Sequence, residues 1–339
     1  MARTAAYVAC NIYVSAGRPG RSVVLLDALS KAQARCRVLR QDEGGQKVAL
    51  VHAFADAPYD RSSFHLAGSS ELVSDVASQI ATQALLELSE KKNASAPAGD
   101  CSGDDDEGKS NHPFVGIVDH ISVMPLRSAS MQGGNDHEGG KDTGQAAKAI
   151  GQALSKVGAK VYYYGHADPN TTPLATVRRE RTAFFKSGDA FANTKSEEDE
   201  SSIYGTCTVG APANFVENFN VRLSQQCSKE VAKTLTKKLR ERDGGIVGVE
   251  ALTLPYSENR FEVACNLLQP SQGTSSMVEA SALEWARANG GERMIDEAYR
   301  VGTTEEQCVE VLSLQGDGID EHDRQVRQNF AKFLATSIN

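Results

Sequence analysis

Residues 5–14 (AAYVACNIYV) set Val, Ile and Tyr at the spacing of a half-buried strand and end at the turn-forming Ser15-Ala16-Gly17-Arg18-Pro19-Gly20. Residues 21–34 carry apolar positions at helical spacing, and residues 47–55 and 62–66 return to strand character. Residues 71–92 predict the clearest helix: Val73, Val76, Ile80, Ala84 and Leu85 share one face, and Lys91-Lys92 suit the negative end of the helix dipole. Strand 114–126, a helix near 145–157 and strand 160–165 follow. Strands at 203–211 and 214–223, a helix at 228–242 stopped by Gly244-Gly245, and strands at 246–254 and 260–268 continue the pattern. Helices at 276–289, 305–312 and 323–336 complete it.

Three polar stretches interrupt the pattern: 93–111, 128–144 and 186–202, the last with Glu197-Glu198-Asp199-Glu200. None carries an apolar face to offset the entropy of ordering, so the first two read as surface insertions and the third as a linker. The resulting expectation is an α/β chain of α+β layers: a first subdomain over 1–185, a second over 203–339, each a mixed sheet covered by helices.

Composition narrows the function classes. Hydrophobic residues make up 40% and charged residues 24% of 339 residues, ordinary for a folding chain of about two domains. The net charge of -8 argues against nucleic-acid binding, which needs a clustered cationic footprint. No apolar run reaches the roughly 18 residues of a membrane span, and the N-terminus lacks a signal core. The seven cysteines (Cys10, Cys36, Cys101, Cys207, Cys227, Cys265, Cys308) are scattered and never spaced C-x-x-C, so neither a disulfide framework nor a cysteine zinc site is expected. Together these predict a soluble protein of a reducing compartment, the cytoplasm.

The common nucleotide and hydrolase signatures are missing: Asn135 and Asp142 spoil a P-loop near 133–142, and there is no G-x-G-x-x-G after a strand, no G-x-S-x-G elbow and no H-E-x-x-H helix. What stands out is HPFVGIVDHISVMPL, residues 112–126, where a histidine begins a strand just after a flexible insertion. An imidazole near its free pKa of about 6.5 both accepts and donates a proton around neutrality, and loop anchoring is the alternative role for His112. Asp119 and His120 are neighbours on a strand; simple alternation points them to opposite faces, against joint chelation of a metal, and no metal site is expected.

That segment resembles the H-P-R-x-G-x-x-D strand of the formiminotransferase family. The likeness continues in family order: Ser15-Ala16-Gly17 with S-E-G, Asp60-Arg61-Ser62 with N-R-T, VYYYG (161–165) with V-Y-L-Y-G, residues 174–178 with L-P-A-I-R, GTCTVG (205–210) with G-A-T-A-T-G, FNV (219–221) with F-N-I, and CNLL (265–268) with T-N-L-L. It is closest to the monofunctional, plant-like branch. It implies formimino transfer from N-formimino-L-glutamate to tetrahydrofolate, in one-carbon and histidine metabolism, by a homodimer. It also implies that His112 is the proton-carrying residue. Asp56, one strand earlier, is a candidate to orient that imidazole, with a solvated turn as the alternative. Arg61 and Arg178 are candidates for substrate carboxylates, with a surface salt bridge as the alternative role. Gly205 and Gly210 would permit close approach of the pterin, and Asn220 or Asn266 would bond its edge, unless these asparagines satisfy backbone groups.

The chain departs from the family pattern at Phe114 for the arginine after His-Pro, Tyr13 for an asparagine, Asp60 for another, Ala16 for a glutamate, and His52 and Phe54 for carboxylates. Three readings stay open: a transferase with a retuned donor pocket, a folate-binding protein without transfer chemistry, and an interaction protein whose acidic insertions recruit a partner.

Overall fold

The computed structural model describes residues 6–18, 22–41, 47–94, 112–127, 136–182, 184 and 204–336. Residues 95–111 of the first insertion, with Cys101, residues 128–135 of the second, and the linker 186–202 lie outside the described residues. The chain forms two compact units: Met1–Ala213 together with Glu305–Asn339, and Asn214–Thr304 between them. The helices at the C-terminal end thus belong with the first unit.

The first unit is built on β1 (Tyr7–Val14), β2 (Val48–Asp56), β3 (Arg61–Ser69), β4 (Val118–Pro125), β5 (Lys160–Gly165) and β6 (Thr206–Ala211), in the order β2-β3-β1-β4-β6-β5. The sheet is mixed: β4, β6 and β5 run parallel, while β2, β3 and β1 pair antiparallel. The helices are α1 (Ser22–Gln41), α2 (Ser70–Ala94), α3 (Asp136–Lys156), the short α4 (Leu174–Arg181), α7 (Glu305–Ser313) and α8 (Asp317–Thr336). Helix α3 begins nine residues before the predicted start, because a run rich in Gly and charge hides the helical period until Ala146.

Alternation along the strands divides the sheet into two chemically different faces. Val8, Cys10, Ile12 and Val14 of β1, Phe64 and Leu66 of β3, and Cys207 and Val209 of β6 join Leu25 and Leu29 of α1, Val76 and Ile80 of α2, Ile150 of α3 and Phe330 of α8 in one apolar core. Phe330 meets Phe64 with ring centroids 5.5 Å apart. The intervening positions, Asn11, Tyr13, Ser63, His65, His120 and Thr208, carry polar and aromatic groups.

In the second unit β7 (Glu217–Leu223), β8 (Val249–Pro255), β9 (Phe261–Leu267) and β10 (Ile295–Val301) form a sheet of order β10-β7-β9-β8, antiparallel throughout. Helices α5 (Lys229–Leu239) and α6 (Ser275–Asn289) cover its apolar face through Leu235, Val278 and Trp285. Ser228 caps α5 by accepting from the Val231 N–H, and Thr274 caps α6 by accepting from the Met277 N–H. The α/β expectation, with a helix-covered sheet in each of two subdomains, holds. The six cysteines among the described residues are buried and form no disulfide, and among those residues no helix is long and apolar enough to cross a membrane.

Three distant turns are stitched together at one end of the first sheet. Asp60, in left-handed backbone at φ 45°, accepts from the N–H groups of Gly17 (2.7 Å) and Arg18 (3.0 Å). Ser15 reaches Gly116 O at 2.8 Å, and Ser62 bonds Ala16 O at 2.5 Å. A Cβ on Gly17 would lie 2.5 Å from both Arg61 N and Asp56 O. Backbone cannot give way as a flexible side chain does, so Gly17→Ala is expected to lower the free energy of unfolding by about 1–3 kcal/mol, read from a shift of the urea midpoint at unchanged slope.

Candidate functional site

The stitched turns set His112, Arg61 and Asp119 together. Asp119 owes its direction to a break in register: β4 pairs with β1 at His120↔Tyr13 and next at Val118↔Val14, which leaves Asp119 as the extra residue of a bulge. Val118 and Ile121 both enter the helix-side core. Asp119 and His120 therefore both lie on the polar face, which corrects the opposite-face expectation drawn from strict alternation.

Asp119 is fully buried, and two guanidinium groups converge on its Oδ2: Arg61 Nη2 at 2.7 Å and Arg178 Nη2 at 3.0 Å. Its Oδ1 accepts from the Val115 N–H at 2.9 Å, which fixes the segment behind His112. Burial alone would raise this carboxyl, but Arg178 and Arg61 outweigh it and hold the pKa near about 2. Among the described residues, two cations for one anion leave the cluster with one positive charge in excess.

His112 sits against the same arginine. Its Nδ1 is 2.6 Å from Pro113 O, so the ring proton belongs there; Nε2 is then the acceptor, 3.2 Å from Arg61 Nη1. Arg61 Nη1 also passes 2.7 Å from Nδ1, which cannot accept while it donates to Pro113. Burial and the Arg61 charge hold the imidazole well below its ordinary pKa. His112 is thus neutral at pH 7, not poised near 6.5 as its strand-end position suggested, and it offers a lone pair rather than a proton. The rings of Tyr59 (5.3 Å) and Phe184 (6.2 Å) meet it edge-on. Although Phe114 stands where the family pattern has arginine, His112 still faces a guanidinium, that of Arg61.

Asp56 ends β2 opposite Arg61, and its Oδ1 accepts from the Tyr59 N–H at 3.0 Å, closing the turn that presents Tyr59 to His112. Arg178 comes from α4, which follows the N-cap residue Pro173, and its guanidinium lies 4.1 Å over the Phe184 ring. Gly205 and Gly210 permit close approach, but of the chain itself. At Gly205, with φ +73°, an added Cβ would lie 2.7 Å from Gly116 Cα; at Gly210 it would lie 2.3 Å from the Tyr164 ring.

Asn220 and Asn266 belong to the second unit. Asn220 donates to Glu262 Oε1 at 2.7 Å, and Asn266 Oδ1 accepts from Asn218 at 2.6 Å. The fully buried Glu262 also accepts from the Tyr299 hydroxyl at 2.7 Å, and Arg222 lies 4.3 Å over Tyr256 and 4.9 Å over Tyr299.

Sequence reasoning left Asp119 and His120 aside, although the aspartate ends the H-P-x-x-G-x-x-D match. Tyr13, noted only as a departure, stacks on His120 with centroids 5.7 Å apart and planes at 6°, and carries the Arg61 guanidinium 4.8 Å above its ring. Among the described residues, no three His, Cys, Asp or Glu side chains group as a metal site.

Two comparisons bear on kinship. The profile of the formiminotransferase domain, N-terminal subdomain, matches residues 104–212, the segment that carries His112, Asp119 and Arg178. An Arabidopsis thaliana protein named Formiminotransferase cyclodeaminase-like protein is 26% identical over 316 residues, covering 89% of this chain and 94% of the relative. The chain is thus similar to the formiminotransferase N-terminal subdomain over the segment that holds His112, Asp119 and Arg178, and to the Arabidopsis protein along most of both chains.

Proposed function

We propose that the chain is a folate-dependent transferase that moves the formimino group of N-formimino-L-glutamate to N5 of tetrahydrofolate, with His112 carrying the proton. The observation that carries this reading is the neutral His112 imidazole held against Arg61 in a cluster with one uncompensated positive charge.

The folate nitrogen forms a bond to the formimino carbon, and the bond from that carbon to the glutamate nitrogen breaks with its electron pair remaining on nitrogen. His112 Nε2 takes the proton that N5 loses and returns it to the departing glutamate nitrogen, so one group serves both transfers. An imidazolium buried beside Arg61 is a strong acid, which favours the return. Arg61 releases Nε2 as it turns to a substrate carboxylate, while Arg178 stays bound to Asp119 and holds the opposite side. Asp56 acts on this site through the Tyr59 turn. Asn220 and Asn266 are assigned to the folate, as the family resemblance implies. The same resemblance assigns a cytoplasmic homodimer.

Calorimetric titration of tetrahydrofolate, paired with a formiminoglutamate turnover assay, tests the reading. His112→Ala is expected to bind tetrahydrofolate as wild type does and to lose turnover by about 10²–10⁴-fold. Binding without turnover in wild type would leave a folate-binding protein; no binding at all would remove both folate readings.

A further inference from the structure

Buried polar atoms are nearly always paired, because an unpaired one forfeits its hydration for nothing. On the polar face of the first sheet two are unpaired among the described residues, and both belong to side chains that act on Tyr13. Asn11, only 4% exposed, hydrogen-bonds Tyr13 through its amide and leaves Oδ1 without a donor. Arg178, 8% exposed, spends Nη2 on Asp119 and, at 3.5 Å, on Thr208, and leaves Nε without an acceptor.

His120, stacked on the same tyrosine, adds a third group. Its Nε2 lies 2.9 Å from the Tyr164 hydroxyl, and its Nδ1 has no hydrogen-bond partner among the described residues. Burial pushes the Tyr164 phenol well up, so it remains protonated and donates to Nε2. The imidazole proton then resides on Nδ1, which becomes a second donor beside Arg178 Nε.

We propose that Asn11, Tyr13, His120 and Arg178 form a ligand subsite, beside the His112–Arg61 pair, that takes a group presenting an N–H next to an oxygen acceptor. Asn11 Oδ1 receives the N–H, while Arg178 Nε and His120 Nδ1 donate to the oxygen. The inference rests on the transferase reading for its two sources of this chemistry: the nitrogen and carboxylate of the amino-acid substrate, or the lactam edge of the pterin.

The test is calorimetry of L-glutamate and, separately, tetrahydrofolate with wild type, Asn11→Leu and Arg178→Lys. Leucine replaces the amide by an apolar group of similar size; lysine keeps a charge for Asp119 but removes the Nε–H of the planar fork. Both variants are expected to weaken one ligand at least about tenfold, with Tm of Asn11→Leu within about 3 °C of wild type. Selective loss of L-glutamate assigns the subsite to the amino acid, and selective loss of tetrahydrofolate assigns it to the pterin; each supports it. Both ligands bound by both variants as tightly as by wild type would overturn the subsite and leave the transferase reading standing. A fall in Tm beyond about 8 °C for Asn11→Leu would make Asn11 a structural residue and overturn it as well. Failure of wild type to bind either ligand would remove the folate reading and the subsite together.

Discussion

Replacing Asp119 by alanine is expected to lower the free energy of unfolding by about 3–5 kcal/mol, because it strands two buried guanidinium groups that now share one carboxylate. The side chains of Arg61 and Arg178 are 12% and 10% exposed, so water offers little replacement solvation. Arg178→Met should cost less, since Arg61 continues to neutralise Asp119 and the methionine keeps the contact with Phe184. Urea midpoints at constant slope measure both effects, and equal losses in the two variants would contradict the unequal charge count. The pH dependence has a fixed sign. The Asp119 pKa near 2 lies below its ordinary value of 3.8, so its contribution is complete above pH 4 and is lost as pH falls from there through about 2. That contribution amounts to about 2 kcal/mol.

Acid should unfold the first unit well before Asp119 is reached. His52, His65, His112 and His120 all line the polar face or its edge, and burial lowers the pKa of each; His52 is brought down to about 4. Their stabilising effect is complete above the unfolded histidine value of 6.5 and is lost as pH falls below it. Each neutral histidine adds a slope of about 1.4 kcal/mol per pH unit between its unfolded and folded pKa, so four together approach about 5 kcal/mol per unit. The acid midpoint is therefore expected below 6.5 but above the range in which Asp119 titrates. Circular dichroism against pH tests it, and His65→Phe should flatten the slope by one histidine's share. A midpoint below pH 3 would show that water reaches these rings.

The order of elements and the kinship were legible in the sequence because they depend on features that survive averaging: strand alternation, the helical period of residues 71–92, and short motifs in a fixed order. The bulge at Asp119 was not, since alternation assumes an unbroken register and one extra residue reverses the faces it assigns. The neutrality of His112 was also hidden, as it depends on burial against an arginine 51 positions away. Glycine at 205 and 210 signals close approach, but what approaches, the Gly116 backbone and the Tyr164 ring, is set by segments distant in sequence. The turn residues Ser15, Gly17 and Asp60 matched family motifs without any sign that they bond to one another.

Val326, Phe330 and Leu334 of α8 are part of the core beneath β2 and β3, yet they are synthesised after the whole of Asn214–Thr304. During translation the second unit therefore has all its strands and helices while the first still lacks a side of its apolar layer. Until α8 emerges, the nascent first unit lacks the ring that Phe330 lays against Phe64, so part of its apolar layer is completed late. A circular permutant that begins at Glu305 and joins the present ends would make the first unit contiguous and remove that delay.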